Sequence, residues 1–245
     1  MELVVAPIDE LRSRLTAAFE AWSRAETTVD IAVASGGSAD KKDPSPRSCA
    51  LSGGGTALIF LGALRNANVD WSRISLFWTD ERAVAVDDAE SNYGVAERML
   101  LGPLGANAPR AFRMPADLPG LSAAAMKYDT DLAREVKSGA LDLALLGVGE
   151  DGHICALFPG HRALVANDAR VVVVEDAPKP PPRRLTLSLS FISRAKKIWL
   201  IAVGPRKLPV LQAALWRTQR STPVDLLLHQ AKDVTVFTDQ VIRWT

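Results

Sequence analysis

Cys49 to Leu64 reads CALSGGGTALIFLGAL: a short apolar run ends in Ser52-Gly53-Gly54-Gly55-Thr56 and passes directly into a segment of helical spacing. A strand that turns on glycines into a helix is the repeating unit of an α/β protein, and the same alternation continues on both sides of it. Strands are expected at Leu3 to Val5, Cys49 to Leu51, Ile74 to Trp78, Leu141 to Leu146, Val171 to Val174, Leu185 to Leu189, Ile198 to Val203 and Val234 to Phe237. Helices are expected at Ile8 to Ala25, Thr56 to Leu64, Asn92 to Leu101, Leu121 to Lys137 and Lys207 to Thr218. Apolar strands separated by amphipathic helices fit a mostly parallel sheet covered by helices.

The 245 residues carry 29 Lys+Arg against 28 Asp+Glu and are 48% hydrophobic, which excludes a disordered or fibrous chain. Residues 1–245 read as a single domain. The polar stretch Ser35 to Ser48, SGGSADKKDPSPRS, is expected to be a mobile loop inserted in that domain, and Pro178 to Pro182 a stiff connector. A formal net charge of +1 supplies no electrostatic footprint for nucleic acid, so none is expected as a partner. Two cysteines in apolar stretches, Cys49 and Cys155, fit a reducing compartment. The first residues hold Pro and acids where a secretory signal needs an apolar run, and no apolar stretch is long enough to span a membrane. A cytoplasmic protein is expected; oligomeric state is not legible.

Three glycines at the mouth of a helix let the backbone approach an anion, and the helix terminus offers free N–H groups and a positive dipole end. Ser52, Gly53, Gly54, Gly55 and Thr56 therefore suit a phosphate, and because this stretch is neither GxGxxG nor GxxxxGK[ST], a dinucleotide or nucleoside triphosphate is disfavoured there. In ISLFWTDERAV, Ile74 to Val84, a strand ends and Asp80, Glu81 and Arg82 follow at its carboxyl end, where ligands of open α/β sheets bind. Ser91 in the nearby SNYG suits a helix cap.

In LDLALLGVGEDGHICALFPG, Leu141 to Gly160, glycines surround Glu150, Asp151 and His153 at another strand end. An imidazole there can take and return a proton near neutral pH. His161 and His229 read as structural. Scattered histidines and no ligand cluster argue against a metal, and without a nucleophile elbow the economical chemistry is water activated by His153. Arg184 and Lys207, together with the glycine loop, are what a phosphate on a small sugar requires.

SGGGT, FWTDERAV, SNYG, LLGVGEDGHICALFPG, PPRRLTLS and VGPRK, in this order over most of the chain, resemble the 6-phosphogluconolactonase family. The resemblance implies a Rossmann-like three-layer α/β/α fold without a cofactor, and hydrolysis of a small-molecule sugar-phosphate lactone. It implies phosphate binding by the glycine loop, Arg184 and Lys207, His153 as base, and Asp151 and Arg82 at the reacting end. The related glucosamine-6-phosphate deaminases carry a Glu immediately before the later proline; here Phe158 precedes Pro159, which favours the lactonase. A non-catalytic sugar-phosphate sensor is disfavoured because the chain opens on a strand rather than on a DNA-binding helix-turn-helix. The insertion at Ser35 to Ser48 departs from the family pattern.

Overall fold

The computed structural model describes residues 1–25, 46–166, 168–216 and 221–243. The insertion assigned to Ser35 to Ser48 lies for the most part outside these residues, as does the end of the helix expected to reach Thr218.

Seven parallel strands form the central sheet in the order β1-β10-β9-β6-β2-β3-β5. They are β1 (Glu2–Val5), β2 (Arg47–Leu51), β3 (Ile74–Trp78), β5 (Arg110–Phe112), β6 (Leu143–Gly147), β9 (Ile198–Ala202) and β10 (Val234–Thr238). β3 and β9 are buried at every residue, as expected of strands covered on both faces. Helix α1 (Ile8–Arg24) turns Leu11, Leu15, Phe19 and Trp22 inward at helical spacing, and Asp9 and Glu10 complement the dipole in its first turn. Helix α2 (Ala57–Arg65) packs beside it. α3 (Asn92–Ala96) runs through Glu97–Leu101 into α4 (Gly102–Leu104), and α5 (Leu121–Glu135), α6 (Leu189–Ile192), α7 (Leu208–Trp216) and α8 (Pro223–Gln230) complete the described helices.

The strand order reverses between β2 and β6: from β2 the chain moves outward to β3 and β5, and from β6 the opposite way to β9 and β10. Such a switch point opens a crevice at the carboxyl ends of its two strands. The glycine loop follows β2 and the Gly147–His153 loop follows β6, so the two glycine-rich motifs, ninety-odd residues apart in sequence, meet there.

Two expected strands do not join this sheet. β7 (Val171–Val174) and β8 (Arg184–Leu187) pair antiparallel with each other, and β8 pairs with β4 (Asp80–Arg82), which reads as a charged loop in the sequence. β4 begins one residue after β3 and shifts the chain into this small sheet; Thr79 bridges the two, its N–H bonding Leu51 O and its carbonyl accepting from Leu187 N. The strand expected to run to Leu189 stops at Leu187, because Ser188 caps α6 by accepting from Phe191 N. Among the described residues no helix is long and apolar enough to cross a membrane.

Candidate active site

A cavity of about 350 Å³ opens at the switch point. Ser52, Gly53, Gly54, Gly55, Thr56, Asp80, Arg82, His153, Arg184 and Lys207 all line it, together with Glu150, Cys155 and Lys179. Asp151 stands behind His153 rather than on the wall.

The glycine loop is fixed from several sides. Ser52 N–H bonds Leu145 O, and its hydroxyl accepts from Gly147 N at 3.3 Å. α2 starts at Ala57, one residue later than expected; Thr56 occupies the cap without side-chain capping, and its Oγ1 instead accepts from Lys207 Nζ at 2.9 Å. The lysine is thereby tied to the loop, and burial pushes its pKa below the ordinary lysine value. A half-desolvated ammonium beside backbone N–H groups is a site that gains from an anion. Gly53 is required for packing: a Cβ there would lie 1.7 Å from Asn92 Oδ1. Asn92 in turn donates from Nδ2 to Asp80 O at 2.9 Å.

Glu81 holds this corner. Its carboxylate accepts from the backbone N–H groups of Arg82, Asn92 and Tyr93 and from the Ser91 hydroxyl. Burial pushes its pKa up to about 7, against the pull of the three N–H donors. Ser91 caps α3 as expected, accepting from Gly94 N at 3.0 Å. The flanking Asp80 and Arg82 are presented to the cavity by the alternation of β4. Arg82 Nη1 donates to Glu90 O at 2.7 Å, while its Nε is buried without a hydrogen-bond partner among the described residues.

Arg82 stands directly opposite Arg184 in the β4–β8 register, a like-charge pairing that costs stability unless a counter-charge sits beside it. Arg184 is buried, and its Nε and Nη2 bond the carbonyls of Pro181, Lys179 and Pro180 at 2.9–3.0 Å. The connector expected at Pro178 to Pro182 is thus wrapped around this guanidinium.

The loop after β6 carries Asp151 and His153. His153 Nδ1 lies 2.5 Å from Asp151 Oδ1, so the carboxylate accepts a hydrogen bond from Nδ1–H and Nε2 is left as the basic nitrogen. Burial pushes the His153 pKa below its ordinary value, outweighing the opposite pull of Asp151, and the ring is neutral at pH 7. Burial also raises Asp151, but its hydrogen bonds to Lys179 and His153 outweigh that and hold it at about 2. Phe158 packs on the imidazole with ring centroids 4.8 Å apart. A Cβ on Gly149 would lie 2.0 Å from His153 Nδ1, so only glycine admits this arrangement. Cys155 is buried and its thiol is pushed up by burial, which leaves it a poor nucleophile. His161 caps the turn at Arg162–Val165, accepting from Ala163 N. Among the described residues no three His, Cys, Asp or Glu side chains converge as metal ligands would.

An open parallel sheet whose carboxyl edge joins a glycine loop at a helix start to a carboxylate-bonded imidazole has the layout of a small-molecule α/β enzyme. Residues 6–237 match the family described as glucosamine-6-phosphate isomerases/6-phosphogluconolactonase, and the chain belongs to that family. It is 40% identical over 175 residues to the 6-phosphogluconolactonase of Mycobacterium tuberculosis, covering 67% of this chain and 71% of that one. A solved 6-phosphogluconolactonase from Shewanella baltica superposes with a TM-score of 0.79 at 26% identity, over 97% of each chain. A solved monomeric glucosamine-6-phosphate deaminase shares the fold with a TM-score of 0.74 at 20% identity, over 98% of each chain.

Proposed function

We propose that this chain hydrolyses 6-phospho-D-glucono-1,5-lactone to 6-phospho-D-gluconate, the second step of the oxidative pentose phosphate pathway. The observation that carries the reading is the Asp151–His153 pair, at 2.5 Å, on the same cavity as the glycine loop and Lys207. The substrate phosphate lies on the N–H groups of Gly53 to Gly55, with Lys207 and Arg184 supplying charge. Asp80 offers the sugar hydroxyls an acceptor on the cavity wall.

Neutral His153 takes a proton at Nε2 from a water molecule as the water oxygen bonds to the lactone carbonyl carbon. The carbonyl oxygen becomes an oxyanion, stabilised by the positive charge of Arg82 on the cavity wall. The oxyanion collapses, the bond from that carbon to the ring oxygen breaks, and the imidazolium returns its proton to the departing oxygen. Asp151 fixes the ring and offsets its transient charge. Acid–base catalysis of this kind contributes ~10²–10⁴-fold, and a reactive ester asks for little more.

Phe158 favours the lactonase over the deaminase of the same family. It is buried against His153 and has no proton to relay in the opening of a sugar ring. The test is His153→Ala, assayed with freshly generated lactone: kcat should fall ~10²-fold or more while 6-phosphogluconate still binds. Activity within a few-fold of the parent would remove His153 from the mechanism.

A further inference from the structure

Lys179 lies outside every motif that points to the site, yet its side chain meets the acid–base pair. Its Nζ is 2.8 Å from Asp151 Oδ2 and 3.3 Å from His153 Nδ1. Since Nδ1–H donates to Asp151 Oδ1, the ammonium and the imidazole grip opposite oxygens of one carboxylate. A carboxylate held at both oxygens cannot swing about its terminal bond, and a swing would release the ring it orients.

The arm that delivers Lys179 is itself braced. Lys179 O, Pro180 O and Pro181 O all accept from the buried Arg184 guanidinium, and Ala177 N bonds Pro182 O at the base of the connector. Arg184 stacks over Phe158 at 5.6 Å, and Phe158 packs on His153. The contacts therefore close a circuit from Lys179 through Asp151, His153, Phe158 and Arg184 back to Lys179. An exposed ion pair is ordinarily worth little, but one whose partners are both already held loses less freedom when it forms.

We propose that Lys179 is a positioning residue of the reaction, clamping Asp151 so that His153 keeps its orientation and its free Nε2. This rests on the lactonase reading of the site. The charged groups facing His153 are Asp151 from its own loop, Lys179 from the connector and Asp80 from β4. The two carboxylates favour the imidazolium and Lys179 opposes it, so the lysine also keeps the base neutral to lower pH.

The test uses Lys179→Met and Lys179→Arg in the full chain. Lys179→Met should lower kcat about tenfold or more with KM little changed, since the ring loses its fixed geometry. It should also move the acid limb of the pH–rate profile to higher pH, because a cation beside the imidazole is gone. Lys179→Arg should restore much of both. With three histidines in the chain, the ¹⁵N signal of His153 can be titrated in the folded protein, assigned by its loss in His153→Ala, and its midpoint should rise in Lys179→Met. A raised KM with unchanged kcat and midpoint would make Lys179 a substrate-binding cation and overturn the proposal, as would no change at all. A parent protein that does not accelerate lactone loss would instead refute the lactonase reading, a result distinct from either.

Discussion

Gly149→Ala places one methyl group where the structure has no room for it. The added Cβ would lie 2.0 Å from His153 Nδ1, 2.2 Å from Cε1 and 2.5 Å from Asp151 Oδ1, whereas real Cβ contacts essentially never fall below 3.0 Å. Relief requires the imidazole to move by about 1 Å, and Gly149 N–H is itself tied to His153 O at 2.8 Å, which limits movement of the backbone. The Asp151–His153 hydrogen bond of 2.5 Å would lengthen beyond bonding range. A misplacement of about 1 Å can cost ~10²-fold in rate, or about 2.7 kcal/mol of barrier. The glycine loop and Lys207 are untouched, so 6-phosphogluconate should bind within a few-fold of the parent. The assay is kcat for freshly generated lactone, with ligand binding by calorimetry and a thermal melt as a check on folding. A folded Gly149→Ala protein with kcat within a few-fold of the parent would refute the claim that this contact fixes the catalytic base.

Lys207→Ala should weaken 6-phosphogluconate far more than gluconate if, as proposed, the phosphate lies beside Lys207 and the glycine loop; equal losses in a competition assay would place the lysine elsewhere. Arg184→Ala should lower kcat as well as phosphate affinity, since its guanidinium also braces the connector at Lys179 to Pro181. The base works only when neutral, and burial sets the His153 pKa below its ordinary 6.5. The acid limb of the rate should therefore have its midpoint below pH 6.5; a midpoint above about pH 7 would contradict the buried environment. Dialysis against a chelator should leave lactone hydrolysis unchanged, and a rate restored only by a divalent ion would require a metal in the mechanism.

The parallel sheet and the two glycine-rich strand ends were legible because apolar strands, glycine turns and helical spacing are local signals. β4 was not legible: Asp80, Glu81 and Arg82 are charged, and their strand state comes from pairing with β8, more than a hundred residues later. The same pairing draws β7 and β8 out of the main sheet, which no period-two pattern can report. β5 is three residues long, and the capping box of Thr222 and Asp225 that opens α8 passed unread in the sequence. The candidates on the cavity wall were visible as the Ser-Gly-Gly-Gly-Thr turn, as Asp80, Arg82 and His153 after strands, and as the cations Arg184 and Lys207. Lys179 was hidden because Pro178 to Pro182 reads as a stiff connector, and only the fold around Arg184 turns it toward Asp151. Asn92 was hidden because SNYG explains itself as a helix start, whereas its side chain supports Asp80 O and fills the space beside Gly53.

The most direct measurement supplies the purified protein with freshly generated 6-phosphogluconolactone and follows its loss against spontaneous hydrolysis, with glucosamine 6-phosphate offered in parallel and ammonia assayed. The account predicts rapid lactone loss that depends on His153 and no ammonia, because Phe158 stands where ring opening needs a carboxylate. Lactone loss at the spontaneous rate, or robust release of ammonia, would contradict it.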